Sequence, residues 1–233
     1  MTKQPKIVVL TGAGISKESG IPTFRDMGGW WKQYRIEEVA SPEGWRRNPE
    51  AVLAFYNLRR RQLKEVEPNE AHYALAELEK YYPVRIITQN VDDLHERAGS
   101  RNVLHLHGEL RKVRSERNPS LVYPWDGDLH WGDTAEDGAQ LRPHIVWFGE
   151  PVPAIEEAAR SVGDADVMLI VGTSMQVYPA AGLVHYLPPH ARVFYVDPHP
   201  APLHIPHPLQ VIEATAVEGV PPLVKKWMDE GIG

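Results

Sequence analysis

The chain has 233 residues, 42% of them hydrophobic, with no cysteine and a net charge of −6. That length and apolar content suit one large α/β domain with a small insertion, and no stretch approaches the roughly 18 apolar residues of a membrane span. The negative balance argues against general nucleic-acid binding, and the lack of cysteine excludes disulfides, thiolate catalysis and thiolate-ligated zinc. No basic and then apolar leader precedes Lys6, so a cytoplasmic protein with no membrane or nucleic-acid partner is expected.

Taken in chain order, KIVVLT (6–11) is a short run of branched apolar residues that suits a strand buried in a parallel sheet. Gly12, Ala13 and Gly14 follow at once, then Ile15 and Ser16. Glycines there permit positive φ and close approach of backbone N–H groups to a ligand, although the spacing is not GxGxxG. Ile21 to Asp26, IPTFRD, reads as a stiff loop with an aromatic face at Phe24 and a cation at Arg25. A tight turn alone would not need such a loop, and a phosphate lid would.

From Gly28 to Tyr82 the pattern is helical. Ser41 before Pro42 and Asn48 before Pro49 are helix starts with proline at the first position. Val52, Leu53, Phe55, Tyr56 and Leu63 fall near one face of the second of these helices, interrupted by Arg59, Arg60 and Arg61. A solvated face is the plain reading of the triple arginine. Asn69 caps a further helix with Ala71, Leu75 and Leu78 at helical spacing.

At Val84 the period changes. VRIITQN is a second strand, and Gln89, Asn90, Val91 and Asp92 follow at its carboxyl end, where ligands bind in open parallel sheets. An N-cap cluster would explain Asp92 but not three adjacent polar groups. VLHLH, a third strand, ends in His107 and Gly108, and a histidine at a strand end is a candidate general base.

Taken together, GAGISKESGIPTFRD, TQNVDDLHERAG, LHLHGEL, PHIVWFGE and VGTSMQVYPAAGL look like the motifs of the sirtuins, the NAD-dependent protein-lysine deacylases, in the same order from about Lys6 to the carboxyl end. The resemblance implies a Rossmann-like parallel sheet domain (1–27, 83–110 and 143–233) with a small inserted domain. That insertion would comprise a helical module (28–82) and a zinc-ribbon-like module (111–142). Here the last departs from the family pattern, because Ser115 stands where a first cysteine would and none follows. No metal is therefore expected. Asp126, Asp128, His130, Asp133, Glu136 and Asp137 read as a polar loop, with Tyr123, Trp125, Leu129 and Trp131 holding two short strands together by apolar packing.

By the same resemblance the chain consumes NAD to remove acyl groups from protein lysine, releasing nicotinamide and O-acyl-ADP-ribose. His107 is then the general base for a ribose hydroxyl, and Asn90 orients the nicotinamide end. NAD contacts fall on Gly12, Ala13, Gly14, Ile15, Ser16, Phe24, Arg25, Trp31, Gln89, Asn90, Val91, Asp92, Gly172, Thr173, Ser174, Asp197 and Ala216. Backbone amides of the Gly12–Ser16 loop are expected on the diphosphate. Val146, Phe148, Gly149 and Glu150 are expected to face the substrate peptide. Tyr56 and Arg59 match the Tyr-x-x-Arg pattern of the subclass that removes succinyl and malonyl groups, with Met27 where relatives often carry alanine. The alternatives are an NAD glycohydrolase or ADP-ribosyltransferase on the same fold, or a catalytically idle NAD-sensing module.

Overall fold

The computed structural model describes residues 4–23 and 35–232. β1 (Ile7–Thr11) is followed by the one-turn helix α1 (Gly14–Lys17), then by α2 (Ile36–Val39), α3 (Pro42–Arg47), α4 (Pro49–Leu63) and α5 (Glu70–Leu78). Next come β2 (Val84–Thr88), α6 (Leu94–Ala98), β3 (Val103–His105), β4 (Gly108–Ser115), β5 (Val122–Pro124) and β6 (Leu141–Ile145). The chain closes with α7 (Ile155–Gly163), β7 (Val167–Val171), a 3₁₀ segment (Ala180–Tyr186), β8 (Arg192–Val196), β9 (Leu209–Ile212) and α8 (Ala216–Glu230).

Six of these strands form one parallel sheet in the order β3-β2-β1-β7-β8-β9. β1 and β7 lie at its centre and are buried on both faces, which is why they read as unbroken apolar runs. Successive side chains of β1 alternate between two cores. Ile7 and Val9 pack with Leu75 and Leu78 of α5 and Leu223 and Trp227 of α8. Val8 and Leu10 pack with Ala158 and Val162 of α7 and Leu183 of the 3₁₀ segment. β9 carried no sequence signal because its outward residues are half-buried or exposed. Among the described residues no helix is long and apolar enough to cross a membrane.

β5-β4-β6 form a separate antiparallel sheet, which packs against α2, α3 and α4 through a third core containing Val52, Phe55, Leu110, Val113, Leu141 and Trp147. The 28–82 stretch is thus divided. α2 to α4 join this third core, whereas α5 lies against the large sheet. Asn69 makes the join, capping α5 through Ala71 N–H and donating to Ile15 O (2.8 Å) and Ser19 Oγ (2.9 Å).

The triple arginine is not a uniformly solvated face. Arg60 is 1% exposed and donates to Leu110 O (2.8 Å) and Asn57 Oδ1 (2.9 Å). Asn57 in turn holds both the N–H and the carbonyl of Leu129 at 2.9 Å. The pair therefore ties α4 to β4 and to the 111–142 segment. Trp131 does not serve the packing assigned to it, being 56% exposed, with its ring 6.2 Å from that of Trp45. Leu129 is buried, while Tyr123 and Trp125 pack against the third core.

Within 111–142, Ser115, which stands where a first cysteine would, is held in a set of hydrogen bonds. Ser115 Oγ accepts from Arg117 N and Asn118 N, both at 3.1 Å, and donates to Asp137 Oδ2 at 2.7 Å. Asp137 also accepts from Ala139 N (3.0 Å), so the clip joins two tight turns. The remaining polar side chains do not fit a zinc ion. Asp126 pairs with Arg111, Asp128 with Arg61, and Asp133 accepts from His130 N. Elemental analysis is expected to find no stoichiometric zinc, and close to one zinc per chain would overturn that assignment. Ser115→Ala strands two backbone donors and is expected to lower stability by about 1–3 kcal/mol in urea unfolding. An unchanged midpoint would show the clip to be idle.

Candidate active site

The carboxyl ends of β1, β2 and β7 converge where the strand order reverses, the position at which open parallel sheets hold ligands. Two glycine turns touch there. Gly12 N–H donates to Val171 O (3.0 Å) and Gly14 N–H to Gly172 O (2.8 Å). A Cβ on Gly14 would lie 2.6 Å from Gly172 Cα, and Gly172 itself has φ +60°. Ile15 and Ser16 N–H bond to Gly12 O and Ala13 O, both at 3.2 Å. Four of the five loop amides expected to face a diphosphate are thus committed within the protein, because α1 starts immediately at Gly14. Ala13 N–H alone among the five has no such bond.

Beside this turn lies a buried polar triangle. Ser16 Oγ donates to Asp92 Oδ2 (3.0 Å), while Asn90 Nδ2 donates to Gly12 O (3.0 Å) and Ser16 Oγ (3.2 Å). Burial pushes the Asp92 carboxyl up, against the bonds from Leu94 N–H and Ser16 that favour its charge. Gln89 Nε2 donates to Thr173 Oγ1 (3.0 Å), and Tyr195 OH donates to Thr173 O (2.7 Å), so β2, β7 and β8 are cross-linked at their ends.

Underneath, Thr11 Oγ1 donates to Thr88 Oγ1 (2.8 Å), which also accepts from Asn90 N (3.0 Å). Thr11 must then accept from His95 Nε2 (3.0 Å), so this histidine carries its proton on Nε2. Burial drives the His95 pKa well down, which keeps the ring neutral.

His107 lies just beyond β3, half-buried, with Nδ1 3.1 Å from Gln89 O. A carbonyl only accepts, so Nδ1 bears the proton and Nε2 keeps a free lone pair. Burial lowers the pKa of this ring, opposed by the bond to Gln89 O. Gly108 is required next, since a Cβ there would meet His144 O at 1.9 Å and its φ is +83°.

Other expected residues fall around the same edge. Asp197, at the end of β8, is buried and accepts from His199 N (2.8 Å). Ser174 and Val91 are half-buried near their strand ends, and Val91 O accepts from Leu110 N (2.8 Å). Ala216 opens α8, whose cap Thr215 donates to Glu18 (3.0 Å). Phe24, Arg25, Met27 and Trp31 lie outside the described residues.

On the small unit, Tyr56 is 2% exposed and its OH accepts from Trp147 Nε1 (3.0 Å). Burial raises its pKa to about 12, so the phenol stays protonated. Arg59 is half-buried and lines a cavity of about 310 Å³ with apolar Ile21, Pro22, Phe55 and Leu58 and with Arg61, Gln62 and Glu65. Burial lowers its pKa, while Tyr56 and Asp92 act to hold its charge. Tyr56 and Arg59 thus sit on adjoining stripes of α4, and only Arg59 lines the cavity.

The PHIVWFGE stretch is a strand only to Ile145, and 147–150 turn, with Glu150 N bonded to Trp147 O. Val146 N–H is bound to His107 O at 2.9 Å. Phe148 is 53% exposed, and Gly149 has φ +89°. Glu150 departs from the peptide-facing expectation. Its carboxylate is held inward by Arg142 (2.7 and 3.1 Å) and Trp147 N–H (2.8 Å), because the buried Arg142 and the half-buried Arg114 need a counter-charge.

Sequence reasoning passed over His105 and Glu96. His105 Nδ1 lies 2.9 Å from Asn90 O and its Nε2 2.7 Å from Glu96 Oε1. The period-2 pairing of His105 with His107 in VLHLH was the available signal.

The Sir2 family model matches residues 12–179. A Helicobacter pylori (strain ATCC 700392 / 26695) NAD-dependent protein deacylase is 57% identical, covering 96% of this chain and 97% of its own. One from Bacteroides thetaiotaomicron is 56% identical, over 92% and 94% respectively. Among solved structures, a Sir2 homolog–NAD complex is 41% identical with a TM-score of 0.86, covering 95% of this chain and 89% of that one. A Sir2 protein with a deacetylated p53 peptide and 3′-O-acetyl ADP-ribose is 31% identical with a TM-score of 0.78, covering 99% and 95%.

Gly14→Ala forces the ends of β1 and β7 apart, since the new methyl would meet backbone and not a movable side chain. It is expected to cost about 1–3 kcal/mol of stability in urea unfolding. An unchanged midpoint would show that the two turns have room to spare.

Proposed function

Because the chain belongs to the Sir2 family, we propose how its own residues divide the work of an NAD-dependent protein deacylase. The protein is an NAD-dependent protein-lysine deacylase, and acylated protein is its substrate class. The sheet edge suits NAD on its own evidence: close-packed glycine turns, a buried Asn–Ser–Asp triangle and an acid at the end of β8. NAD supplies the ribose carbon that accepts the acyl oxygen as nicotinamide leaves.

Asn90 and Asp92, fixed through Ser16, orient the nicotinamide end. Gln89, Thr173 and Ser174 line the floor. Asp197 accepts from ribose hydroxyls, and Ala216 borders the adenine side. Ala13 offers the loop's uncommitted amide to the diphosphate, and Gly12, Gly14, Ile15 and Gly172 shape its approach. Phe148 and Gly149 present an exposed edge to the peptide.

His107 is the general base, taking a proton from a ribose hydroxyl on Nε2. The observation that carries this role is the Nδ1 contact with Gln89 O, which leaves Nε2 unprotonated in the neutral ring. The burial-lowered pKa keeps the ring neutral at pH 7. His107→Ala is expected to lower kcat by about 10²–10⁴ while NAD still binds, measured as nicotinamide release with an acylated peptide. Near wild-type turnover would remove His107 from the chemistry. The same assay without peptide separates deacylation from simple NAD hydrolysis.

The acyl preference is for succinyl and malonyl groups, with acetyl also accepted. Arg59 brings a cation to the cavity it lines, and the neighbouring Tyr56, kept protonated, puts no negative charge beside it. A succinyl carboxylate forms a charge-assisted bond worth about 1.5–3 kcal/mol there, which acetyl lacks. That corresponds to about 10- to 150-fold in kcat/KM. Arg59→Met is expected to depress desuccinylation by about that factor and deacetylation far less. Equal losses on both peptides would return Arg59 to a purely structural role.

A further inference from the structure

We propose that His105 is a positioning residue for the deacylation: a doubly donating imidazolium that fixes the loop carrying Asn90. The proposal rests on the site reading above and adds to it a residue whose two ring nitrogens both face the protein.

The geometry decides the charge. His105 Nδ1 faces the Asn90 carbonyl at 2.9 Å, and Nε2 faces the Glu96 carboxylate at 2.7 Å. Both partners accept only, so both ring nitrogens must carry a proton. A neutral ring in either tautomer would turn a lone pair toward an oxygen at hydrogen-bond distance, and one of the two contacts would open. A protonated Glu96 would be the other way to satisfy Nε2. Glu96 is exposed, however, and its bond to His105 and the nearby Lys112 hold its pKa below the usual carboxylate range against partial burial.

His105 and His107 stand two apart, and each holds a successive carbonyl of one loop, Asn90 O and Gln89 O. Their surroundings differ. Among the described residues His107 meets no carboxylate, and its pKa falls with burial. His105 is also desolvated, but Glu96 on α6, the Asn90 carbonyl and Glu109 on β4 together raise its pKa. Among the described residues the other titratable groups near it are Lys112, which pairs with Glu109, Asp92 on the loop and the neutral His95 on α6. The His105 cation in turn favours ionised Asp92. One ring is thus kept neutral to take a proton and the other charged to hold the frame.

The sign of the pH effect follows. The His105 clamp is fully present below the ordinary histidine pKa of about 6.5 and is lost as pH rises through its raised value. His107 becomes competent as pH rises through its lowered value. Together they give a bell-shaped kcat/KM for NAD, with His107 on the acid side and His105 on the alkaline side.

The test is nuclear magnetic resonance titration of the intact protein labelled with ¹⁵N-histidine, alongside pH–rate profiles of two variants. Both nitrogens of His105 are expected to be protonated at pH 6.5, with a pKa above that value. His105→Asn keeps a donor to Asn90 O but cannot reach Glu96, whereas His105→Gln reaches Glu96 and releases the loop. The Gln variant is expected to lose about 10-fold in kcat/KM for NAD and the Asn variant distinctly less. Both should lack the alkaline limb. Titration of His105 at or below pH 6.5 overturns the proposal, whatever the variants do. So does a charged His105 whose variants keep the wild-type profile, or a limb lost only because the variants unfold, as circular dichroism would reveal. If the wild type consumes no NAD with any acylated peptide, the functional reading fails, while the titration still decides the charge.

Discussion

The contact between the backbones of Gly14 and Gly172 is the constraint on which the rest of the site depends. β1 and β7 are the two central strands, and their ends can meet only where neither carries a side chain. Once they meet, Ser16 is turned down toward the β2 loop, where Asn90 and Asp92 close on it. The same approach sets Thr173 against Gln89 and Tyr195. A chain of hydrogen bonds of 2.7 to 3.2 Å then links the ends of β1, β2, β7 and β8. Preorganisation of this kind is what lets polar groups act on a ligand without first rearranging.

The small unit depends on a different device. A buried guanidinium is costly unless its donors are used, and Arg60 places Nε on Leu110 O and Nη1 on Asn57 Oδ1 and Gly127 O, leaving Nη2 buried with no partner among the described residues. Through Asn57 the same cation governs the backbone of Leu129, so one helix residue fixes the seat of the following module. Trp147 completes the arrangement, with Arg142 stacked 3.4 Å from its ring and Tyr56 at its nitrogen. Aromatic faces and guanidinium planes here do the ordering work that apolar packing alone would do less specifically.

Much of this was legible in the sequence because parallel central strands announce themselves. IVVLT and VMLIV are continuous apolar runs, VRIIT is one broken only by Arg85, and polar or glycine residues follow each where the sheet ends. His107 could be found because a histidine followed by glycine closes VLHLH, even though β3 is an edge strand. What stayed hidden depends on three-dimensional neighbours. Arg60 reads like Arg59 and Arg61 until the strand it meets is known. Glu150 reads as an exposed acid until Arg114 and Arg142 come round to it. The commitment of the Gly12–Ser16 amides was invisible too, since sequence does not tell a free loop from the first turn of a helix. β9 escaped because an edge strand has no apolar period to display.

The Ser115–Asp137 clip has one further consequence, for the conditions under which the protein can persist. A module closed by a hydroxyl and a carboxylate offers no sulfur for peroxide or nitrosating agents to attack, and the whole chain has none outside its methionines. The clip itself calls for neither zinc nor reduced thiols. The trade is in acidity, because Asp137 serves the clip only while ionised, and its bond to Ser115 holds its pKa below the usual range. Oxidative stress and metal starvation leave this joint alone. Strong acid is what undoes it.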